Sequence, residues 1–400
     1  MGWRMIRALL SAALIAAPAL ANPYGQWRIA FAHPGGELPF NLVVAQGKAG
    51  PTATLVNGSE RLKVEQVAVD GDAITLTFPS YNSRITLTAA GDVISGEARL
   101  IRSAGAITLS ASGARGVWRF SPRPAKPVAD VTGRWVVSYG DNKVRGLALL
   151  KQQGNSVTGT VQLPTGDTRF LAGELDGNQL KLSTFDGSYT NLWKATLTGN
   201  SLTGAQWSAT AKPAGNGWTA TREKGAAMAG VAVEAPGGQK LSFRLPTPDG
   251  RQISLDDPRY KGKVVVISIG GAWCPNCHDE ALFLAPYATR RQAEGLEVIG
   301  MQFEYGTDVP RAMRQITSFA ARYKIKYPMV LAGQPVPEDT VKVLGSVGPV
   351  KVYPTTIFIG RDGRVKEVHV GWSGPATGAL NVAAKREFDE TVTKLLKQKA

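Results

Sequence analysis

Gly271-Ala272-Trp273-Cys274-Pro275-Asn276-Cys277 is the stretch on which the reading of this 400-residue chain turns. It follows residues 263–269, an apolar, β-branched run of the kind that forms a buried strand. It leads into a segment whose pattern predicts a helix over about 276–293. A cysteine where a helix begins faces unpaired N–H groups and the positive end of the helix dipole. Both favour thiolate over thiol and so supply a nucleophile. The two-residue spacing puts the second sulfur within one turn, where it can resolve a mixed disulfide. Cys274 is therefore expected to attack and Cys277 to resolve. The chain has only these two cysteines, so no other disulfide can form within it. A Cys-x-x-Cys bridge closes too short a loop to stabilise much by chain entropy. The pair is read as chemical, not structural.

Around the motif, strands and helices alternate as in an α/β unit. Residues 296–303 read as a second buried strand, 310–323 as a second helix, 327–331 as a strand and 337–344 as a short helix. Residues 355–359 and 364–370 form a predicted hairpin about Gly360-Arg361-Asp362-Gly363, and 384–397 an amphipathic helix. About eighty residues after the cysteines stands Tyr353-Pro354-Thr355-Thr356-Ile357-Phe358-Ile359.

Taken in this order, the two motifs resemble the thioredoxin superfamily, and within it the TlpA/ResA-like exported thiol–disulfide oxidoreductases. The resemblance covers 241–400 only. It implies that Pro354 is cis, faces the cysteine pair and holds the backbone of Tyr353 where a substrate strand pairs with it. Trp273 and Pro275 would belong to the same substrate surface. Thioredoxin proper carries a buried aspartate six residues before its first cysteine, and here that place is Ser268, which cannot shuttle a proton at neutral pH. Glu280 matches a glutamate of the ResA-like pattern and by resemblance assists proton transfer near the cysteines. A first-turn glutamate that satisfies the helix dipole is the competing reading. Leu282 replaces a proline that often follows that glutamate, with Pro286 one turn later, which bears on a helix kink. Glu304 and the Gly371-Trp372-Ser373-Gly374-Pro375 loop are candidates for the edge of the site.

Before 241 the pattern is different. Strand alternation and Gly/Asp turns, such as Gly71-Asp72 and Gly91-Asp92, run through 22–122 and again through 129–223. Gly25-Gln26-Trp27-Arg28 recurs as Gly133-Arg134-Trp135-Val136, and the turn at Asp70-Gly71-Asp72 as Asp176-Gly177-Asn178. Gly116-Val117-Trp118 is matched with Asn216-Gly217-Trp218. The expected fold class is multidomain, with two tandem small antiparallel β-domains (barrel or sandwich) followed by an α/β thioredoxin-fold domain. A Pro-rich join at 121–128 and a Gly/Ala/Pro-rich linker at 224–240 separate them. The Gly-x-Trp openings resemble the first strand of lipocalin-like barrels, although each copy is short for an eight-stranded one. Trp27 and Trp135 are expected in the cores.

Residues 1–21 read as a secretory signal peptide, with Arg4 and Arg7, an apolar run and Ala19-Leu20-Ala21 before the cut. This predicts a periplasmic protein. The net charge of +15 is spread without a Lys/Arg block, so no nucleic-acid partner is expected. The expected partners are exported protein thiols or disulfides, and the resemblance implies a membrane-bound reductase as electron donor. No metal and no organic cofactor is expected, since His33, His278 and His369 lack paired ligand spacing. No Pro-x-x-x-Thr-like stretch precedes Cys274, as a peroxidatic cysteine would need. Two alternatives remain. Cys274, Cys277 and His278 also spell the attachment motif of c-type haem, and the β-domains could form a binding protein carrying an accessory redox module. On the redox reading, His278 is expected to be exposed on the helix.

Overall fold

The computed structural model describes residues 22–140, 144–227, 232–233 and 238–399. The expected signal peptide at 1–21 lies outside these residues, as does part of the 224–240 linker. Among the described residues no helix is long and apolar enough to cross a membrane.

Nine strands, from Gly25–His33 to Gly105–Arg115, form one antiparallel sheet in which the first strand lies between the second, Gly36–Gly47, and the ninth. The next nine, from Gly133–Tyr139 to Asn216–Arg222, follow the same order. They add one ladder that the first sheet lacks, between the third strand, Ser156–Leu163, and the fifth, Leu171–Asp176. With it the second sheet closes into an eight-stranded barrel, from which Gly166–Asp167 hangs as an extra strand. The second copy is thus long enough for a barrel after all, whereas the first stays an open sheet. Tight two-residue turns, such as Asp70↔Ala73 and Asp176↔Gln179, leave most residues free for strands.

Matching residues do matching work in the two sheets. Trp27 and Trp135 are fully buried, and each donates its indole N–H to a carbonyl four residues back, at Pro23 and Val131. Arg115 covers the Trp27 ring at 4.3 Å, and Arg222 the Trp135 ring at 4.7 Å, as cation–π pairs. This fixes the true register of the repeat. Trp118, three residues beyond Arg115, therefore does not correspond to Trp218, which stands four before Arg222 inside a strand. The two sheets also share apolar packing. Phe185 of the second sheet reaches Phe31 and Phe40 of the first at 4.9 and 4.8 Å.

In the C-terminal part, Val264–Gly270 is the centre of a mixed sheet. It runs parallel to Leu296–Phe303, which is parallel to Met329–Gly333, and antiparallel to Thr355–Ile359, which pairs with Val365–Val370. The helices are α1 (Pro275–Arg291), α2 (Val309–Tyr323), α3 (Pro337–Leu344) and α4 (Ala379–Leu396). The central strand is apolar on both faces because helices and loops cover both. Helix α4 begins five residues earlier than its amphipathic stretch. Buried Asn381 donates to the Ser373 carbonyl at 2.6 Å and fixes the first turn to the preceding loop.

Candidate active site

The strand Val264–Gly270 ends at the motif, and α1 starts inside it. Cys274 is the N-cap of α1, and its sulfur accepts from the Cys277 N–H at 3.1 Å. Pro275 at the first helical position costs no hydrogen bond, since that N–H has no helical partner. The two cysteines form a disulfide and are only 2% and 4% exposed. An amide aimed at sulfur where a helix dipole begins is the arrangement that favours a thiolate once the bridge is reduced.

Aromatic side chains frame one flank. Trp273 donates its indole N–H to the Phe303 carbonyl at 2.8 Å and stacks on Tyr305 at 4.6 Å. Tyr353 meets the Trp273 ring edge-on at 5.1 Å. The Tyr353–Pro354 peptide is cis, and the Pro354 carbonyl accepts from the Gly371 N–H at 2.8 Å. The structure therefore brings Trp273 and Tyr353 together, and ties the Pro354 segment to the Gly371 loop.

Glu280 is buried with both oxygens engaged. It accepts from the Ser268 hydroxyl at 2.6 Å and the Thr356 hydroxyl at 2.7 Å, and Ser268 and Thr356 are paired residues of adjacent strands. Burial pushes its carboxyl up. Its side chain is thus turned onto the sheet, with Ser268 as its partner. Glu304 is a further carboxyl beneath the motif. It accepts from the Ala272 N–H at 2.7 Å, leaves its second oxygen without a partner, and is pushed up to about 7 by burial.

His278 corrects the expectation of an exposed residue, being only 2% exposed. One ring nitrogen bonds the Ala272 carbonyl at 2.8 Å, so it must carry the proton, and the other bonds the Tyr323 hydroxyl at 2.6 Å. Burial holds its basicity well below the usual range. A helix position next to a redox pair looks exposed in sequence. Here Tyr81 of the first β-sheet covers the ring at 4.0 Å. Both ring nitrogens are committed, so binding a haem iron through His278 would break at least one of these bonds. Among the described residues, no three His, Cys, Asp or Glu groups form a metal cluster.

Residues that sequence reading missed come from the second β-sheet. Gly166 sits so close to Asn276, between the cysteines, that a Cβ there would fall 2.2 Å from the Asn276 amide nitrogen. Asp167 accepts from the Gly374 N–H, while Asn276 donates to the Trp372 carbonyl at 3.2 Å. Arg169, 5% exposed, donates to the Pro275 carbonyl at 3.0 Å and pairs with Asp279 at 2.8 Å. No sequence spacing links residue 169 to the motif. The only local signal is the Gly-Asp-Thr-Arg turn itself.

Fold and redox pair together define a thioredoxin-fold oxidoreductase unit, and residues 236–368 match the family model described as AhpC/TSA family. Two curated relatives point to thiol–disulfide chemistry. This chain is 27% identical over 135 residues to the thioredoxin-like protein YneN of Bacillus subtilis, covering 34% of this chain and 71% of that protein. It is equally identical over 135 residues to the thiol–disulfide oxidoreductase ResA of Halalkalibacterium halodurans, covering 34% of this chain and 68% of that protein. Among solved structures, a thiol:disulfide interchange protein of the thioredoxin family from Chlorobium tepidum is similar at 21% identity and TM-score 0.32, covering 41% of this chain and 99% of its own. The C-terminal unit is an enzyme of the thiol–disulfide oxidoreductase type. The family-model match stops short of both β-sheets.

Proposed function

We propose that this chain reduces disulfides of exported proteins by dithiol exchange through Cys274 and Cys277. The single observation that carries the reading is the N-cap geometry, with the Cys277 amide pointing at the Cys274 sulfur where α1 begins. The Cys274 thiolate attacks one sulfur of a substrate disulfide, forming a mixed disulfide and releasing the other substrate sulfur as a thiolate. The Cys277 thiolate then attacks Cys274. The bond to substrate breaks, the substrate leaves as a dithiol, and the protein holds the Cys274–Cys277 disulfide. Two electrons from a membrane-bound reductase return it to the dithiol.

On this reading Trp273, Pro275, Tyr353 and Pro354 form the substrate surface, and the chain divides into units at 22–122, 129–223 and 241–400 behind a signal peptide that directs it to the periplasm. Glu280 is proposed to hold the active-site helix on the sheet and to relay protons from there. Replacing Cys277 with Ser is expected to accumulate mixed disulfides through Cys274, seen as thiol-sensitive adducts on non-reducing gels. Cys274→Ser is expected to abolish both the adducts and insulin reduction. Insulin turnover by the Cys274→Ser variant, or no adduct with Cys277→Ser, defeats the proposal.

A further inference from the structure

The β-rich half bears on the redox pair through one side chain. Arg169 stands in the left-handed backbone region, with φ of 60°, which a residue bearing a side chain seldom adopts. The turn holds it there, since Asp167 accepts from the Arg169 N–H at 2.7 Å. Its guanidinium then meets all three parts of the protein. It pairs with Glu60 of the first sheet at 3.1 Å, Asp186 of the second at 3.3 Å and Asp279 of α1 at 2.8 Å, and donates to the Pro275 carbonyl between the two cysteines. All four charged side chains are largely buried, with Glu60 the most exposed of them at 11%. In such a place charges are weakly screened and act over the length of a helical turn.

Resting on the exchange chemistry proposed above, we propose that Arg169 is a positioning residue of the redox site: the second β-sheet holds a cation against the first turn of α1 and thereby sets how readily Cys274 ionises. The other charged and titratable groups packed here are Asp167, Tyr81, Tyr189, His278, Tyr323, Arg102 and the Arg322–Glu65 pair. His278 is neutral, and Glu65 offsets Arg322. Arg169 is accordingly the cation that touches the motif itself, and Asp279 the anion that opposes it. Burial, with the repulsion of Asp167, Glu60 and Asp186, pushes the Asp279 carboxyl up, and the pull of Arg169 opposes it.

The test exploits sign. If the pair were only a strut, breaking it from either side would disturb the cysteines in the same direction. As an electrostatic device, its two halves have opposite effects. Full-length Arg169→Gln, on a Cys277→Ser background, is expected to slow iodoacetamide alkylation of Cys274 at pH 7 about threefold, through a less acidic thiol. Asp279→Asn is expected to speed it by a similar factor, and Arg169→Lys to stay near wild type. With both cysteines present, equilibration against glutathione is expected to move about threefold toward disulfide for Arg169→Gln and toward dithiol for Asp279→Asn. Shifts of the same sign, or none in folded variants, overturn the proposal. Should Arg169→Gln fail to fold, Asp279→Asn decides alone, and a shift toward disulfide or no shift overturns it. A parent Cys274 with the acidity of free cysteine would instead undo the exchange chemistry on which the inference rests.

Discussion

Burial raises the Glu304 carboxyl from an ordinary 4.5 to about 7, and the consequence for stability has a definite sign. A carboxyl with a higher value in the folded state is stabilising in its protonated form. That contribution is complete below the unfolded value near 4.5 and is lost as pH rises through about 7. Wild-type protein is expected to lose about 2–3 kcal/mol of unfolding free energy between pH 5 and pH 8 through this group. Glu304→Gln, neutral throughout, is expected to flatten that part of a urea-denaturation profile, and an unchanged slope would refute the assignment. Glu304 teaches how far sequence carries at this level. The cysteines declare themselves by spacing, whereas Glu304 reads in sequence only as a candidate for the edge of the site, and its place under the motif follows once the strand Leu296–Phe303 lies beside Val264–Gly270. Ser268 and Glu280 make the same point together. Each was readable as a departure or a match, but their mutual hydrogen bond at 2.6 Å depends on α1 lying across the sheet.

The loop that follows the strand Val365–Val370 meets the turn after Ser156–Leu163 at Gly371. There φ is 77°, and a Cβ would fall 3.0 Å from the Pro164 carbonyl oxygen and 3.2 Å from the Thr165 carbonyl carbon, both backbone atoms. Gly371→Ala therefore meets strain in its own backbone and resistance from a segment that cannot swing away. It is expected to cost about 1–3 kcal/mol in chemical denaturation. A cost under a few tenths of a kcal/mol would show that the two segments are not pressed together. Elements with strong periodicity were readable, and the strands Leu296–Phe303 and Thr355–Ile359 fall where the apolar runs place them. The closure of the second sheet was not. It depends on one ladder between Ser156–Leu163 and Leu171–Asp176, a matter of curvature and register that local alternation does not encode.

Contacts between the β-rich half and the C-terminal unit are the part no motif foretells, because they join residues far apart in sequence, by 106 for Arg169 and Pro275 and by 257 for Glu65 and Arg322. Tyr81 lies against His278 at 4.0 Å and donates its hydroxyl to Asp186 at 2.7 Å. A double-mutant cycle of Tyr81→Ala and His278→Ala is expected to give a coupling of about 0.5–1.5 kcal/mol, with Tyr81→Ala alone costing about 3 kcal/mol. Strict additivity of the two would mean that the halves do not meet in solution as described. The tandem copies carry a different lesson. Phe185 of the later copy is lodged among Phe31, Phe40 and Phe78 of the earlier one. Two sheets of the same strand order would be expected to fill their own interiors, yet here the second lends an aromatic ring to the core of the first. Neither sheet can be exchanged for a free-standing one without leaving a hole in the first or an orphaned ring on the second, so the pair is bound to change together.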